Sequence, residues 1–355
     1  MLRKTFDLPL HTGKVPRWLF DRMKRLSFLI IEAILMEFGE EELLKRLANP
    51  FWFQSFGCLL GYDWHSSGLT TTLMGAIKEG LKQDKNLGIM VAGGKGKMSL
   101  KTPEELNIIA EIFGIDANKY IKLSRLVAKI DNSALQDGFQ LYHHTFLITK
   151  KGNWMVIQQG MNPKNKYARR YHWLSLNLKE IDNEPHFAVV SQIKTKPLNL
   201  VSEKNKKVRK IIVELSKEKP QKILKDITIL QKHSGKMPSK HWFNIKDINP
   251  KYIHKILLKT YQKEPKDFTS LLEIEGVGPK TLRALALVGD LIYGEKVSFE
   301  EPKVFSYAHG GKDGYPYRIK KSHYDKTIEI LEKAIKLSKL SQNEKDNLLK
   351  KLKYI

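Results

Sequence analysis

Residues 268–292 read FTSLLEIEGVGPKTLRALALVGDLI, and this stretch decides the fold of the C-terminal part of the chain. Leucines recur at helical spacing on both sides of the short run Gly276-Val277-Gly278. The two glycines permit a tight turn, and Pro279 suits the first turn of a helix because its missing N–H costs nothing there. The pattern predicts two short helices that pack together through their leucines.

The same turn has the chemistry of a phosphate-binding loop. Glycines let backbone amides approach an anion closely, and the second helix presents its positive dipole end to the same anion. Lys280 adds a charge and Thr281 adds a hydroxyl donor. We therefore predict a phosphate-binding set of Gly276, Val277, Gly278, Lys280 and Thr281. A purely structural pair of helices that uses glycines for a tight turn is the alternative.

This stretch resembles the helix-hairpin-helix motif of DNA repair and recombination proteins. The resemblance implies contacts with backbone phosphates and not with base edges, hence DNA binding without sequence preference. In the helix-hairpin-helix DNA glycosylases, the lysine at the position of Lys280 can be catalytic and is paired with an aspartate after the second helix. Here residues 294–302 read GEKVSFEEP and lack that pattern, so we expect Lys280 to contact phosphate.

The composition favours a polyanionic partner as well. Lys and Arg number 62 against 38 Asp and Glu, which gives a formal net charge of +24 at pH 7. Such a surplus attracts a phosphate backbone, with a compositional bias toward lysine as the alternative explanation. The single cysteine, Cys58, excludes a disulfide scaffold, and no apolar stretch approaches the length of a membrane span. We expect a soluble cytoplasmic protein whose partner is DNA, with RNA possible and no membrane contact.

Patterning divides the chain into three parts. Residues 1–200 alternate predicted strands and helices, which indicates an α/β domain with a mixed sheet and flanking helices. Residues 201–235 are crowded with lysine and predict a basic, partly helical connector. Residues 236–355 predict an all-α helix-hairpin-helix domain that binds DNA. In the first domain we predict helices over 16–48 and 69–81 and strands over 87–92, 139–149, 153–159 and 187–193.

Several segments spread along the chain form a recognisable set, namely 7–11, 52–67, 93–97, 158–162, 169–173 and 308–314. By these segments the chain resembles an archaeal and bacterial family, domain-of-unknown-function family seven-six-three, over nearly its full length. This resemblance carries no activity beyond the C-terminal hairpin and leaves the chemistry open.

Histidines in the first domain suggest phosphodiester chemistry. His143-His144 lies on one predicted strand and Gly160-Met161-Asn162 ends the next, an order that resembles the phospholipase D superfamily. The resemblance implies that His144, or His143, attacks phosphorus and forms a phosphohistidine, with Asn162 orienting it. The family's lysine two residues after the histidine is absent, because Phe146 occupies that place. Adjacent strand residues face opposite ways, so one core and one surface histidine is the alternative.

Other residues would have to complete such a site. A second histidine, such as His65, or a homodimer would be required, and the missing charge would come from lysines or arginines elsewhere. Lys95 and Lys97 belong to the glycine-rich run 93–97, which suits an anion cradle, and Lys312 belongs to a polar loop that suits a second DNA contact. The predicted catalytic set is His65, His143, His144, Gln159 and Asn162, and the further predicted phosphate contacts are Lys95, Lys97, Arg169, Arg170 and Lys312.

The first function predicted is a DNA-processing or repair nuclease, a hydrolase that cleaves phosphodiester bonds at a histidine-based site. A DNA-binding repair or architectural factor without catalysis is one alternative, and an RNA-binding or RNA-modifying protein is another. No cofactor is predicted, while a divalent metal and a homodimer stay open.

Overall fold

A computed structural model describes residues 15–62, 67–164, 166–233 and 248–307, together with single positions between 333 and 346. The predictions for His65 and Lys312 lie outside the described residues. Within these ranges, no helix combines the length and the apolar character that crossing a bilayer requires.

The strands are β1 Ile89–Lys95, β2 Leu135–Gln136, β3 Gln140–Thr149, β4 Trp154–Asn162, β5 Tyr167–Leu174, β6 Ala188–Ser191, β7 Leu198–Asn199 and β8 Phe305–Tyr307. Six of them form one sheet in the order β1-β3-β4-β5-β6-β8, and β2 pairs with β7. Neighbouring strands are antiparallel except β6 and β8, which are parallel. The sheet is therefore mixed, as predicted.

The helices are α1 Arg17–Ala48, α2 Pro50–Leu59, α3 Gly68–Leu81, α4 Lys97–Leu100, α5 Thr102–Phe113, α6 Ala117–Lys129, α7 Lys206–Ser216, α8 Pro220–His233, α9 Pro250–Lys263, α10 Phe268–Glu273 and α11 Pro279–Leu291. A π-helical turn, Ile130–Ala134, extends α6. Helix α1 is interrupted at Gly39, which has φ 79° and ψ 176°.

Two hydrophobic cores cover the two faces of the sheet. Successive strand residues point to opposite faces, so Phe146 enters one core and Leu147 the other. Helices α1 to α3 fill the core on what we call the α1–α3 face. Helices α5 and α6 fill the opposite core together with the C-terminal helices, and we call this the α5–α6 face.

The predicted fold class, a mixed α/β part followed by C-terminal helices, is confirmed. The predicted strand pair corresponds to β3 and β4, joined by a turn in which Gly152 has φ 86°. The predicted basic connector contains α7 and α8. The domain boundary near residue 200 stays a prediction, since the core on the α5–α6 face runs from Phe146 in the sheet to Leu285 in α11, and β8 returns to the sheet.

Candidate functional site

The turn between α10 and α11 is shaped by local chemistry at both ends. Asp267 caps α10 in a capping box with Ser270. Gly278 caps α11 in an extended conformation, with φ −143° and ψ −172°, and Pro279 is the first residue of that helix. Gly276 has φ 90°, a conformation that favours glycine, and this lets the chain reverse between the two helices.

The backbone of this turn offers donors to a ligand. Gly276 is exposed and Gly278 is half-buried. Within the described ranges, no backbone carbonyl accepts the amide of either glycine, and no side chain caps α11. Lys280 is exposed in the first turn of the same helix. Two amides, a helix N-terminus and an ammonium group are the donor set that an oxyanion requires.

Val277 and Thr281 play a different part from the one predicted. Their side chains are only 1% and 2% exposed, respectively. The amide of Val277 already donates to the carbonyl of Ile274, at 3.1 Å. The side chains of these two residues therefore anchor the turn in the core. Of the predicted set, the amides of Gly276 and Gly278 lack a backbone acceptor within the described residues, and Lys280 is exposed beside them.

Residues far away in sequence hold the turn in place. Lys129, at the end of α6, donates to the carbonyl of Val277 at 2.6 Å across 148 positions of sequence. The side-chain amide of Gln136 donates to the carbonyl of Pro279 at 2.9 Å and accepts from Nε of Arg283 at 3.1 Å. Burial lowers the pKa of Lys129, although Glu275 opposes this shift. Neither Lys129 nor Gln136 was predicted, because nothing in the local sequence marks either as a neighbour of the turn.

His143 lies on the α1–α3 face and is 1% exposed. Its Nε2 lies 3.3 Å from Oγ1 of Thr145, and its Nδ1 has no hydrogen-bond partner. Burial, reinforced by the nearby His144 and Lys95, lowers the pKa of His143 to about 3. The ring is therefore neutral at physiological pH and has no route to a phosphate on the surface.

His144 points to the opposite face of the sheet and joins a buried polar network. Its Nε2 lies 2.8 Å from the Ser124 hydroxyl, and its Nδ1 lies 2.8 Å from Oε1 of Gln158. Gln158 in turn donates to Asp131, whose other oxygen lies 2.5 Å from Nε2 of His186. Burial lowers the pKa of His144. Both imidazole nitrogens are engaged, which is typical of a structural histidine.

The described members of the predicted catalytic set do not form one cluster, although His143 and Gln159 are cross-strand neighbours. Gln159 lies on the α1–α3 face, where its amide donates to the Ser67 carbonyl at 2.8 Å and to the Tyr142 hydroxyl. Asn162 ends β4, pairs with Tyr167 and accepts from the Lys164 amide at 3.0 Å. Because His143 and His144 occupy opposite faces, the geometry does not supply the phospholipase D-like arrangement. The histidine and Gly-x-Asn pattern is present in the sequence, but both histidine side chains are buried in the protein interior.

Arg169 is buried on the α5–α6 face with 0% exposure, so it is not the phosphate contact that was predicted. Its Nη1 donates to Asp137 at 3.0 Å and to Glu301 at 2.9 Å, and its Nη2 donates to the second Glu301 oxygen at 3.0 Å. The guanidinium also lies over the Phe139 ring, 4.6 Å from its centroid. This arginine ties β5 to the segment that leads into β8.

Arg170 is equally buried on the α1–α3 face, and this prediction also needs correcting. Its Nε donates to Nε2 of His172 at 2.8 Å, and its Nη1 donates to Gln54 and to Thr70, each at 3.2 Å. Burial lowers the pKa of Arg170 to about 9. With no exposed atoms, the group links β5 to α2 and α3 and cannot reach DNA in this conformation.

Lys95 and Lys97 are exposed, as a phosphate contact requires. Lys95 ends β1 and Lys97 begins α4. Lys95 borders a cleft of about 610 Å³ that is also lined by Gly68, Thr71 and Lys78 of α3. Lys78 is neutralised there by Glu105, at 2.6 Å, and Glu105 also accepts the Gly93 amide. Lys95 therefore lies at the edge of the cleft, whereas the charge of Lys78 in its wall is paired with Glu105.

Among the described residues, no group of three or more histidine, cysteine or acidic side chains could hold a metal ion. His144, Asp131 and His186 belong to one buried network of titratable side chains. Asp131 also accepts from the indole of Trp173, at 2.9 Å, so its oxygens are committed to neighbours.

The chain belongs to the family described as "Protein of unknown function (DUF763)", which matches residues 4–319. This confirms the family resemblance that the separate segments indicated. The matched region includes both the sheet and the turn between α10 and α11. No curated protein and no solved structure matches the chain.

Proposed function

We propose that this protein binds DNA without sequence preference and holds backbone phosphates at the turn between α10 and α11. One observation carries the proposal: the amides of Gly276 and Gly278 have no backbone acceptor within the described residues. The dipole of α11, which has 13 residues, favours negative charge at the same point. Contacts with phosphate leave the bases unread, hence the lack of sequence preference.

Two further properties support this proposal. The net charge of +24 attracts a polyanion over long range and makes binding sensitive to salt. The hydrogen bonds from Lys129 and Gln136 fix the turn before any ligand arrives. A preorganised turn loses little conformational entropy on binding.

Catalysis is not part of the proposed function. His143 and His144, which suggested a nuclease, are buried and lie on opposite faces of the sheet. A DNA-binding repair or architectural factor is the role that the turn and the charge support. We place this role in the cytoplasm, in agreement with the prediction from sequence.

The test is fluorescence anisotropy with labelled duplexes of random sequence. Gly278→Glu puts a bulky carboxylate where phosphate would lie and should weaken binding about tenfold or more. The variant should fold, because the backbone is extended there and an added Cβ would meet only the Gly276 carbonyl oxygen, at 3.8 Å. Gln221→Glu, exposed on α8, makes the same charge change away from the turn and should bind like the wild type.

Equal affinity of folded Gly278→Glu and wild type would reject the phosphate-binding turn. Tighter binding to structured RNA than to DNA would favour the RNA alternative. Cleavage of the labelled strand, with or without EDTA, would reject the non-catalytic role.

A further inference from the structure

A row of lysines runs along α9. Lys251, Lys255, Lys259 and Lys263 recur every fourth residue, and all four are exposed. At a rise of 1.5 Å per residue, the row covers one side of the helix over about 18 Å. Helix α9 has no acidic residue anywhere between Pro250 and Lys263. Its lysines therefore repel one another without neutralisation from their own helix, which costs stability unless an anion approaches.

The lysine row passes beside the phosphate-binding turn at its third member, Lys259. Ile256, on the buried side of α9, lies beneath the turn, and its side chain would be 3.3 Å from a Cβ added at Gly276. Nζ of Lys259 lies 3.0 Å from Oε2 of Glu275, the residue directly before Gly276. The hydrogen bond from Lys259, the charge of Lys259 and then that of Lys263 lower the pKa of Glu275. The row and the turn thus form one continuous surface.

Glu275 holds a position that an anionic ligand would compete for. Its side chain is 90% exposed, and its partner Lys259 is half exposed. Exposed ion pairs of this kind contribute little to stability, so exchange of the carboxylate for a phosphate costs little. A carboxylate next to the two glycine amides also repels an approaching phosphate.

We infer that the lysine row of α9 is a second part of the DNA contact, and that the DNA backbone continues along it from the turn. In this arrangement a phosphate displaces the Glu275 carboxylate from Lys259, so Glu275 competes with DNA for that lysine. This inference rests on the proposed function. It adds the direction in which DNA leaves the turn, and it identifies a residue of the chain that weakens binding.

The first test removes charge from the row and leaves Lys259 with its partner. The triple variant Lys251→Gln, Lys255→Gln, Lys263→Gln should bind the same duplex about tenfold or more weakly at low salt. The slope of log K against log salt should become shallower by about 2 to 3, since each phosphate contact contributes about 0.9. The matched control changes three exposed lysines at the other end of the sheet, Lys85, Lys150 and Lys151, to glutamine. This control should keep the slope of the wild type.

The second test predicts a gain. Glu275→Gln frees Lys259 and removes a repelling charge, so binding should tighten several-fold, an effect that misfolding cannot produce. The control is Glu218→Gln, which breaks a surface pair with Lys222, 3.2 Å apart, and should leave affinity unchanged. A lysine triple that behaves like its control, or a Glu275→Gln variant that does not tighten binding, overturns the inference.

The two proposals fail in different ways. Loss of binding in Gly278→Glu, combined with a normal slope in the α9 triple, would leave the turn intact as a site and reject the lysine row alone. A wild-type protein that does not bind the duplex, or a Gly278→Glu variant with full affinity, would reject the proposed function and the inference with it.

Discussion

Replacement of Arg169 by methionine should destabilise the protein strongly and leave DNA affinity untouched. The guanidinium makes a two-point contact with Glu301 and a third with Asp137, all at 2.9 to 3.0 Å. The two carboxylates are themselves 6% and 1% exposed. Methionine fills most of the volume but leaves both acids in the interior without their counter-charge.

The expected loss is about 3–5 kcal/mol of unfolding free energy, the usual cost of removing one partner from a buried ion pair. The lower half of this range applies here, because Asp137 keeps the Tyr171 hydroxyl at 2.7 Å and Glu301 keeps the Thr195 hydroxyl at 3.0 Å. Urea unfolding followed by tryptophan fluorescence measures the loss, since Trp173 lies in the same core. Many proteins are stable by only about 5–15 kcal/mol in total, so the effect is easily seen.

A second substitution separates the ion pair from simple packing. The double variant Arg169→Met, Glu301→Gln removes one stranded charge and should recover part of the lost stability. A loss below about 1 kcal/mol in Arg169→Met, or a double variant less stable than the single one, would refute the reasoning. Reduced DNA affinity without reduced stability would restore Arg169 as a phosphate contact.

Three further outcomes are expected. Burial lowers the pKa of His143 to about 3, so below about pH 6.5 the unfolded state binds a proton that the folded state does not. The free energy of unfolding should therefore fall by up to about 1.4 kcal/mol per pH unit as the pH drops toward 3. Urea unfolding across this pH range should show that His143→Gln removes that share of the pH dependence. Gly152→Ala should lower the melting temperature, since φ is 86° and the added Cβ would lie 2.5 Å from the Tyr120 hydroxyl, whereas Gly278→Ala should not. Lys129→Met should speed hydrogen exchange at the Val277 amide, which donates to the Ile274 carbonyl, and weaken DNA binding, because the bond from Lys129 to the Val277 carbonyl is lost.

Local patterns predicted local structure well. The alternation of strand residues and the glycine at 152 predicted β3, β4 and their turn, and Gly276 to Pro279 predicted the reversal between α10 and α11. These features depend on propensities and positive φ angles, which a few neighbouring residues determine. The short strand β8 was not predicted, since three residues carry no periodicity and pair only because the fold brings them beside β6.

The candidate site was predicted only in part, because a sequence pattern predicts contacts between neighbouring residues and not between distant ones. The glycines and Lys280 lie within one turn, so the sequence displays them together. The hydrogen bonds from Lys129 and Gln136 to the turn join segments more than 140 positions apart. No local sequence pattern predicts contacts over such a separation. Histidine spacing on β3 predicted chemistry, but burial decides whether a histidine can act, and burial is a property of the packed sheet.

The arginines of β5 and the lysines of α9 lie in opposite environments, and this affects what DNA can contact. Arg169 and Arg170 are fully buried, where a planar guanidinium finds several fixed acceptors at once. The lysines of α9 stay in water, as strongly hydrated point charges do. The surface formed by the turn and α9 presents ammonium groups and backbone amides, and α9 contains no arginine. It therefore has few groups able to read base edges, which arginine does best. Such a surface should bind many DNA sequences with similar affinity and lose that affinity steeply as salt rises.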